Sequence, residues 1–127
     1  MNVTKELLAH LGTDRKGFEA MTVRIVALLE RSNAAVEQAL TRIYDAQTRS
    51  EKASGCTQEL NGVGFRAGGD DITGSYYAKQ IKLGRHLFED RMPKARKLAI
   101  RYRKQLTVLA FIKLKAKARE TSREKNS

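Results

Sequence analysis

FEAMTVRIVALLERSNAAVEQALTRIYDAQ, residues 18–47, decides the fold class. Phe18, Met21, Ile25 and Leu28, then Val36, Leu40, Ile43 and Gln47, recur at three- and four-residue steps, the repeat of one helix face. Val23, Val26 and Leu29 widen the apolar stripe in its first half. Ser32-Asn33 interrupts it, as a kink or as a fresh N-cap, and the pattern decays through TRSEKASG to a natural stop at Gly55. A continuous helix over this span would be roughly 50–60 Å long at 1.5 Å per residue, too long to bury alone. It needs a partner hairpin or a second chain.

Helical signals extend to both sides. TKELLAHL, residues 4–11, reads as a short helix capped by Thr4 and closed by Gly12 in a left-handed turn. Beyond the long helix comes NGVGFRAGGDD, residues 61–71, with four glycines. Asp70 or Asp71 then caps a helix carrying Ile72, Tyr76, Tyr77, Ile81 and Leu83, ended by Gly84. Arg85-His86-Leu87 reads as a connector, and Glu89-Asp90 ahead of Arg91-Met92-Pro93 as a helix start, since proline fits a first turn and acids suit its positive end. The last helix is expected to run to about Arg119, with Ala95, Leu98, Ala99, Tyr102, Leu106, Leu109, Phe111 and Ile112 on its apolar side. The reading is an all-α protein. It comprises a single helical domain over residues 1–120, built as an elongated bundle around the long helix or helix pair, and a frayed polar tail over 121–127.

The 127 residues suffice for one domain with its own core. No apolar stretch approaches the roughly 20 residues that span a bilayer. The first twelve residues lack the cationic, then apolar, then small-residue order of a secretion signal, and the lone Cys56 suits a reducing compartment. A cytoplasmic protein is expected.

The net charge of +11 is distributed unevenly. Residues 1–60 hold eight basic and eight acidic side chains, and residues 61–90 hold four of each. Residues 91–127 hold thirteen basic and two acidic side chains, so the whole surplus lies there. A surplus segregated in this way calls for a polyanionic partner.

The Asn61–Asp71 loop invites a ligand, but the patterns of known cradles are missing. No lysine followed by Ser or Thr comes after its second glycine, as a Walker-type phosphate loop requires, and no buried strand precedes it, as the dinucleotide fingerprint requires. Its glycines read as positive-φ positions, with Phe65 anchoring the turn in the core. A magnesium site from Asp70, Asp71, Glu89 and Asp90 is the sharper reading of those acids; helix capping is the plainer and adopted one. His10 and His86 have no Cys or second His at ligand spacing, so no metal and no cofactor are expected. Tyr76, Tyr77 and Tyr102 could stack on bases, although at helical spacing they read first as core or rim. No nucleophile–base pair can be argued, so no catalytic residue is assigned.

The basic helix is different in kind. Lys94, Arg96, Lys97, Arg101, Arg103 and Lys104 fall within eleven residues, interleaved with Leu98 and Tyr102. At 100° per residue, Lys94, Lys97, Arg101 and Lys104 stack along one face, and Lys113, Lys115, Lys117 and Arg119 continue the charge. Such a helix can lay its cationic side along a phosphate backbone while its apolar side packs on the bundle, and Arg66 and Arg85 would extend the track. A membrane-surface helix shares the pattern but presents bulkier apolar residues to lipid.

The segments IYDAQTRSEKASGCTQELNGVGF, DITGSYYAKQIKLGRHL and ARKLAIRYRKQL together resemble a small helical module of bacteriophage and mobile-element proteins, also appended to helicase-like DNA-processing proteins. The matching positions are Gln47, Thr48, Asn61, Gly62, Gly64, Phe65, Gly84, Arg85, Leu87, Tyr102, Gln105 and Leu106, over about half of the chain. The pattern's Leu-Thr/Ser-x-Lys-Gln is replaced here by Leu87-Phe88-Glu89-Asp90-Arg91. The resemblance implies a setting in DNA metabolism.

The expectation is thus a non-enzymatic nucleic-acid-binding accessory protein of a phage or mobile element, on DNA in preference to RNA, able to form a homodimer through the long helix. The alternative is a small phage-type regulator whose basic helix docks on an acidic or nucleic-acid-binding surface of a host or defence complex.

Overall fold

A computed structural model describes residues 2–52, 64–66, 69–87 and 89–125, without the side chains of 48–52 and 121–125. Gly55, Cys56, Asn61, Gly62 and most of the glycine-rich loop lie outside the described residues. The protein is all-α: six helices and no strand occur among the described residues. They are α1 (Lys5–Leu11), α2 (Arg15–Arg31), α3 (Asn33–Lys52), α4 (Asp70–Lys82), α5 (Met92–Arg101) and α6 (Arg103–Lys125). No helix among the described residues is long and apolar enough to cross a membrane.

Local chemistry accounts for the first boundaries. The Thr4 hydroxyl accepts from the Leu7 amide at 3.1 Å to open α1, and Gly12 closes it at φ 75°. Asp14 opens α2 through the Gly17 amide at 2.7 Å. Ser32 adopts extended backbone between α2 and α3, and its hydroxyl accepts from the Ala35 amide at 3.1 Å. The long helix is therefore two helices, with Ser32 as the fresh cap.

In α2 the inward stripe differs from the expected one. Phe18 and Leu29 are buried, Ile25 is half-buried, and Leu28 and Val23 face solvent. The inward positions are 18, 22, 25 and 29, and Thr22 takes one of them. That residue is half-buried, and its hydroxyl bonds the Phe18 carbonyl at 3.0 Å and the Thr107 hydroxyl of α6 at 2.8 Å, so a polar residue takes an inward position with its hydrogen bonds satisfied.

Two apolar clusters hold the helices together. The larger joins Leu29 of α2, Val36, Leu40 and Ile43 of α3, Tyr77 of α4, Ala95, Leu98 and Ala99 of α5, and Phe65, Tyr102 and Leu106. The smaller joins Leu7, Leu8 and Leu11 of α1 to Phe18, Ala46 and Val108, with the Phe18 and Phe111 rings stacked 6.2 Å apart.

The expected single C-terminal helix is broken at Tyr102. The Tyr102 amide reaches back to Ala99 at 3.1 Å, a tight three-residue turn, and α6 restarts at Arg103. No glycine or proline marks the site; the Tyr102 side chain does, because it is fixed at ring and hydroxyl. Its ring meets Phe65 edge-on at 5.2 Å, and its hydroxyl accepts from the Arg66 amide at 2.8 Å while donating to Asp70 at 2.9 Å. Helix α6 continues to Lys125, past the expected end at Arg119.

Candidate nucleic-acid interface

Helix α5 carries Lys94, Lys97 and Arg101 on its exposed side, while Met92, Ala95, Leu98 and Ala99 are buried. Proline at position 93 sits in the first turn, as expected, but Glu89 and Asp90 lie ahead of the helix and no side chain caps its N-terminus. Arg103 and Lys104 are exposed at the start of α6, where Gln105, Leu106, Thr107 and Val108 are buried. Lys94, Lys97, Arg103 and Lys104 make no ion pair among the described residues. Arg103 reaches only the Ile100 carbonyl, at a marginal 3.5 Å.

Two of the cations have intramolecular partners. Arg96 is half-buried and donates from Nε to the Leu29 carbonyl at 2.8 Å and from its other end to the Asn33 side chain. That places a guanidinium at the C-terminus of α2, where the helix dipole favours positive charge and unpaired carbonyls need donors. Arg101 donates to both carboxylate oxygens of Asp70, at 3.0 and 3.1 Å. Asp70 is thus no helix cap: Gly69 stands at the N-cap, and its amide donates to Asp71 at 3.2 Å.

The break at Tyr102 also divides the remaining cations. Lys94 lines a groove with Ile72, Thr73 and Tyr76 of α4 and with Asp90 and Arg91. Arg103 and Lys104 line another with Val3, Arg15, Phe18, Glu19 and Val23. Of the exposed cations without ion pairs, Lys94 thus lines one groove and Arg103 and Lys104 the other. Arg91 itself lies 5.8 Å from the centre of the Tyr76 ring and donates to its hydroxyl at 3.3 Å, a contact that raises the arginine's pKa. Of the outlying arginines, Arg66 is exposed and tied to Tyr102 by its backbone, and Arg85 is exposed and donates to Gln80 at 3.0 Å.

The residues of the family-like pattern that are described serve to join elements. The Gln47 side chain accepts from the Phe65 amide at 3.1 Å, and Gly64 sits so close that a Cβ there would meet Gln47 Cβ at 2.9 Å. Gly74 of α4 lies against Phe65, whose ring a Cβ would meet at 2.5 Å. Gly84 turns the chain at φ 81°, after which Glu37 of α3, buried, takes the Leu87 amide at 2.8 Å and the His86 ring at 2.9 Å. Glu37 was not singled out by the sequence pattern, because a lone acid amid helix formers carries no signal of burial.

Burial and the carboxylate of Asp70 push the Tyr102 hydroxyl above the usual tyrosine pKa, with desolvation the larger cause. Among the described residues no three His, Cys, Asp or Glu side chains gather as metal ligands. No protein-family model, curated protein sequence or solved structure matches this chain.

Proposed function

We propose that this protein is a non-enzymatic nucleic-acid-binding accessory protein of a phage or mobile element, acting in the cytoplasm and on DNA in preference to RNA. The observation that carries the reading is that Lys94, Lys97, Arg103 and Lys104 are exposed and without ion pairs among the described residues, in the segment that holds the entire charge surplus. Arg96 and Arg101, both engaged within the fold, contribute less. Arg66 and Arg85 extend the surface.

Counterion release turns this into a measurable slope. Four phosphates neutralised give a log affinity against log salt slope of about −3 to −4, from about 0.9 per contact on duplex and 0.7 on single strands. Replacing Lys94, Lys97, Arg103 and Lys104 together by Gln should make the slope shallower by about that amount, leaving only the share of the outlying arginines. Titrations of labelled DNA against protein at stepped salt test it, and an unchanged slope in the fourfold variant refutes it.

The second reading, a regulator that docks on an acidic or nucleic-acid-binding surface of a host or defence complex, has one observation in its favour. The Arg103–Lys104 groove has an apolar lining from Val3, Phe18 and Val23, which suits a protein surface. Pull-downs with and without nuclease separate the two: a partner retained after nuclease treatment supports docking. An elongated bundle that pairs with a second copy through α2, where Val23 is 69% exposed, belongs to the first reading and is tested by sedimentation.

A further inference from the structure

Helix α4 presents an apolar stripe to solvent. Ile72 is 73% exposed and Tyr76 47%, one turn apart on the same face of α4, and Leu83, the residue that follows the helix, is 68% exposed beyond Lys79. Buried Tyr77 and Ala78 occupy the opposite side, so α4 is apolar on both. Scattered exposed apolar residues are ordinary on any protein; an exposed Ile72 and Tyr76 stacked one turn apart as the wall of a basic groove are a more specific arrangement.

The groove runs between antiparallel helices. Asp70, which opens α4, meets Arg101 at the end of α5, and Tyr76 meets Arg91 just ahead of α5. Ile72, Thr73 and Tyr76 form one wall and Arg91 and Lys94 the other, around a volume of about 440 Å3, with Asp90 as the acid in the lining. Arg91 holds one flank of the Tyr76 ring, and about half of that residue stays open to solvent. A flat aromatic surface, an aliphatic neighbour and two cations are what a strand with unstacked bases needs. A duplex offers only base edges and phosphates, because its base faces are already stacked. The aromatic wall adds nothing to duplex binding.

We propose that the α4–α5 groove binds single-stranded nucleic acid, one base stacking on Tyr76 beside Ile72 while Arg91 and Lys94 hold the flanking phosphates. The proposal rests on the nucleic-acid reading above and adds the form of the ligand. Lys97, further along the exposed side of α5, carries the strand toward the start of α6. Asp90 faces the bound strand as an acceptor for base amino groups and as a repulsive charge for misplaced phosphates.

The test uses the full chain and three fluorescein-labelled probes of equal length: oligo-dT, an abasic strand and a duplex. Wild-type protein should bind oligo-dT more tightly than the abasic strand at the same salt. Tyr76→Ala should weaken oligo-dT binding about 5- to 150-fold, the range for losing one base–aromatic stack, and leave the abasic strand unchanged. Tyr76→Phe should keep most of the affinity. Ile72→Ser serves as a second variant with little bearing on the core, and far-UV circular dichroism confirms the fold of each. If Tyr76→Ala and Ile72→Ser both bind oligo-dT as the wild type does, or the abasic strand binds equally well, stacking is overturned while the cationic reading stands. If none of the three probes binds, the nucleic-acid reading falls and the proposal with it. A second copy seated on the stripe would appear as a concentration-dependent mass that Ile72→Ser lowers, and that result also overturns the proposal.

Discussion

Replacing Tyr102 by Phe removes one oxygen from the point where α4, α5 and the segment before α4 meet. The ring keeps its burial and its edge-on contact with Phe65. Lost are the donation to Asp70 at 2.9 Å and the acceptance from the Arg66 amide at 2.8 Å. Asp70 retains Arg101 and is 26% exposed, so water reaches it and the cost there stays near the low end for a charged acceptor. A neutral bond is worth about 1 kcal/mol net and one to a charged group about 1.5–3, so the variant should lose about 2.5 kcal/mol. For a chain of this length that lowers Tm by roughly 9 °C. Urea unfolding followed by circular dichroism measures it, and a double-mutant cycle with Asp70→Asn should return a coupling of about 1 kcal/mol. The pH dependence gives an independent check. Because the folded hydroxyl has a raised pKa, it is protonated in both states well below pH 10.0, the ordinary tyrosine value, and contributes no slope there. Above that, unfolded chains release the proton first, so wild-type stability falls by up to about 1.4 kcal/mol per pH unit until the folded hydroxyl also ionises. The variant lacks this loss, and the gap between the two proteins should narrow above pH 10.0. A cost under about 0.5 kcal/mol at neutral pH, or a gap that stays constant into alkali, would refute the junction as described.

Other substitutions separate structural cations from binding ones. Arg96→Met should cost about 1–2 kcal/mol in urea unfolding, from the lost bonds to Leu29 and Asn33, yet change the salt slope of DNA binding by much less than a full phosphate contact's roughly 0.7–0.9. Asp70→Asn frees Arg101 and should steepen that slope by about 0.7–0.9, read from the same titrations. Gly74→Ala should destabilise by about 1–2 kcal/mol despite alanine's better helix propensity, because the new methyl meets the Phe65 ring; thermal unfolding with a higher Tm would contradict that. Glu37→Ala should cost about 1–3 kcal/mol and speed amide exchange at Leu87, whose bonded acceptor is removed.

Much of the architecture was legible because it rests on local chemistry. Thr4, Gly12, Ser32 and Gly84 act where their backbone and side-chain preferences place them, and the three- and four-residue steps of α3 match its buried face. In α2 the expected stripe held at Phe18, Ile25 and Leu29 but not at Leu28 and Val23, and half-buried Thr22 went unnoticed because it looks polar until Thr107, eighty-five residues away, is brought to it. The division of the C-terminal helix was invisible for a similar reason: Tyr102 is an ordinary helix residue until Phe65, Arg66 and Asp70 are brought to it. Among the candidate contacts, charge content was legible and charge availability was not. Nothing in the spacing distinguishes Arg96 and Arg101, engaged within the fold, from Lys94 and Lys97, which are free of ion pairs among the described residues.

The direct seating of Gly74 on the Phe65 ring ties two positions in neighbouring segments to a common history. Chains descended from the same ancestor should keep a residue without a β-carbon at the first position wherever the second is aromatic, and should drop both together. Covariation of that pair would identify kin whose overall sequences have drifted too far apart to be aligned by eye.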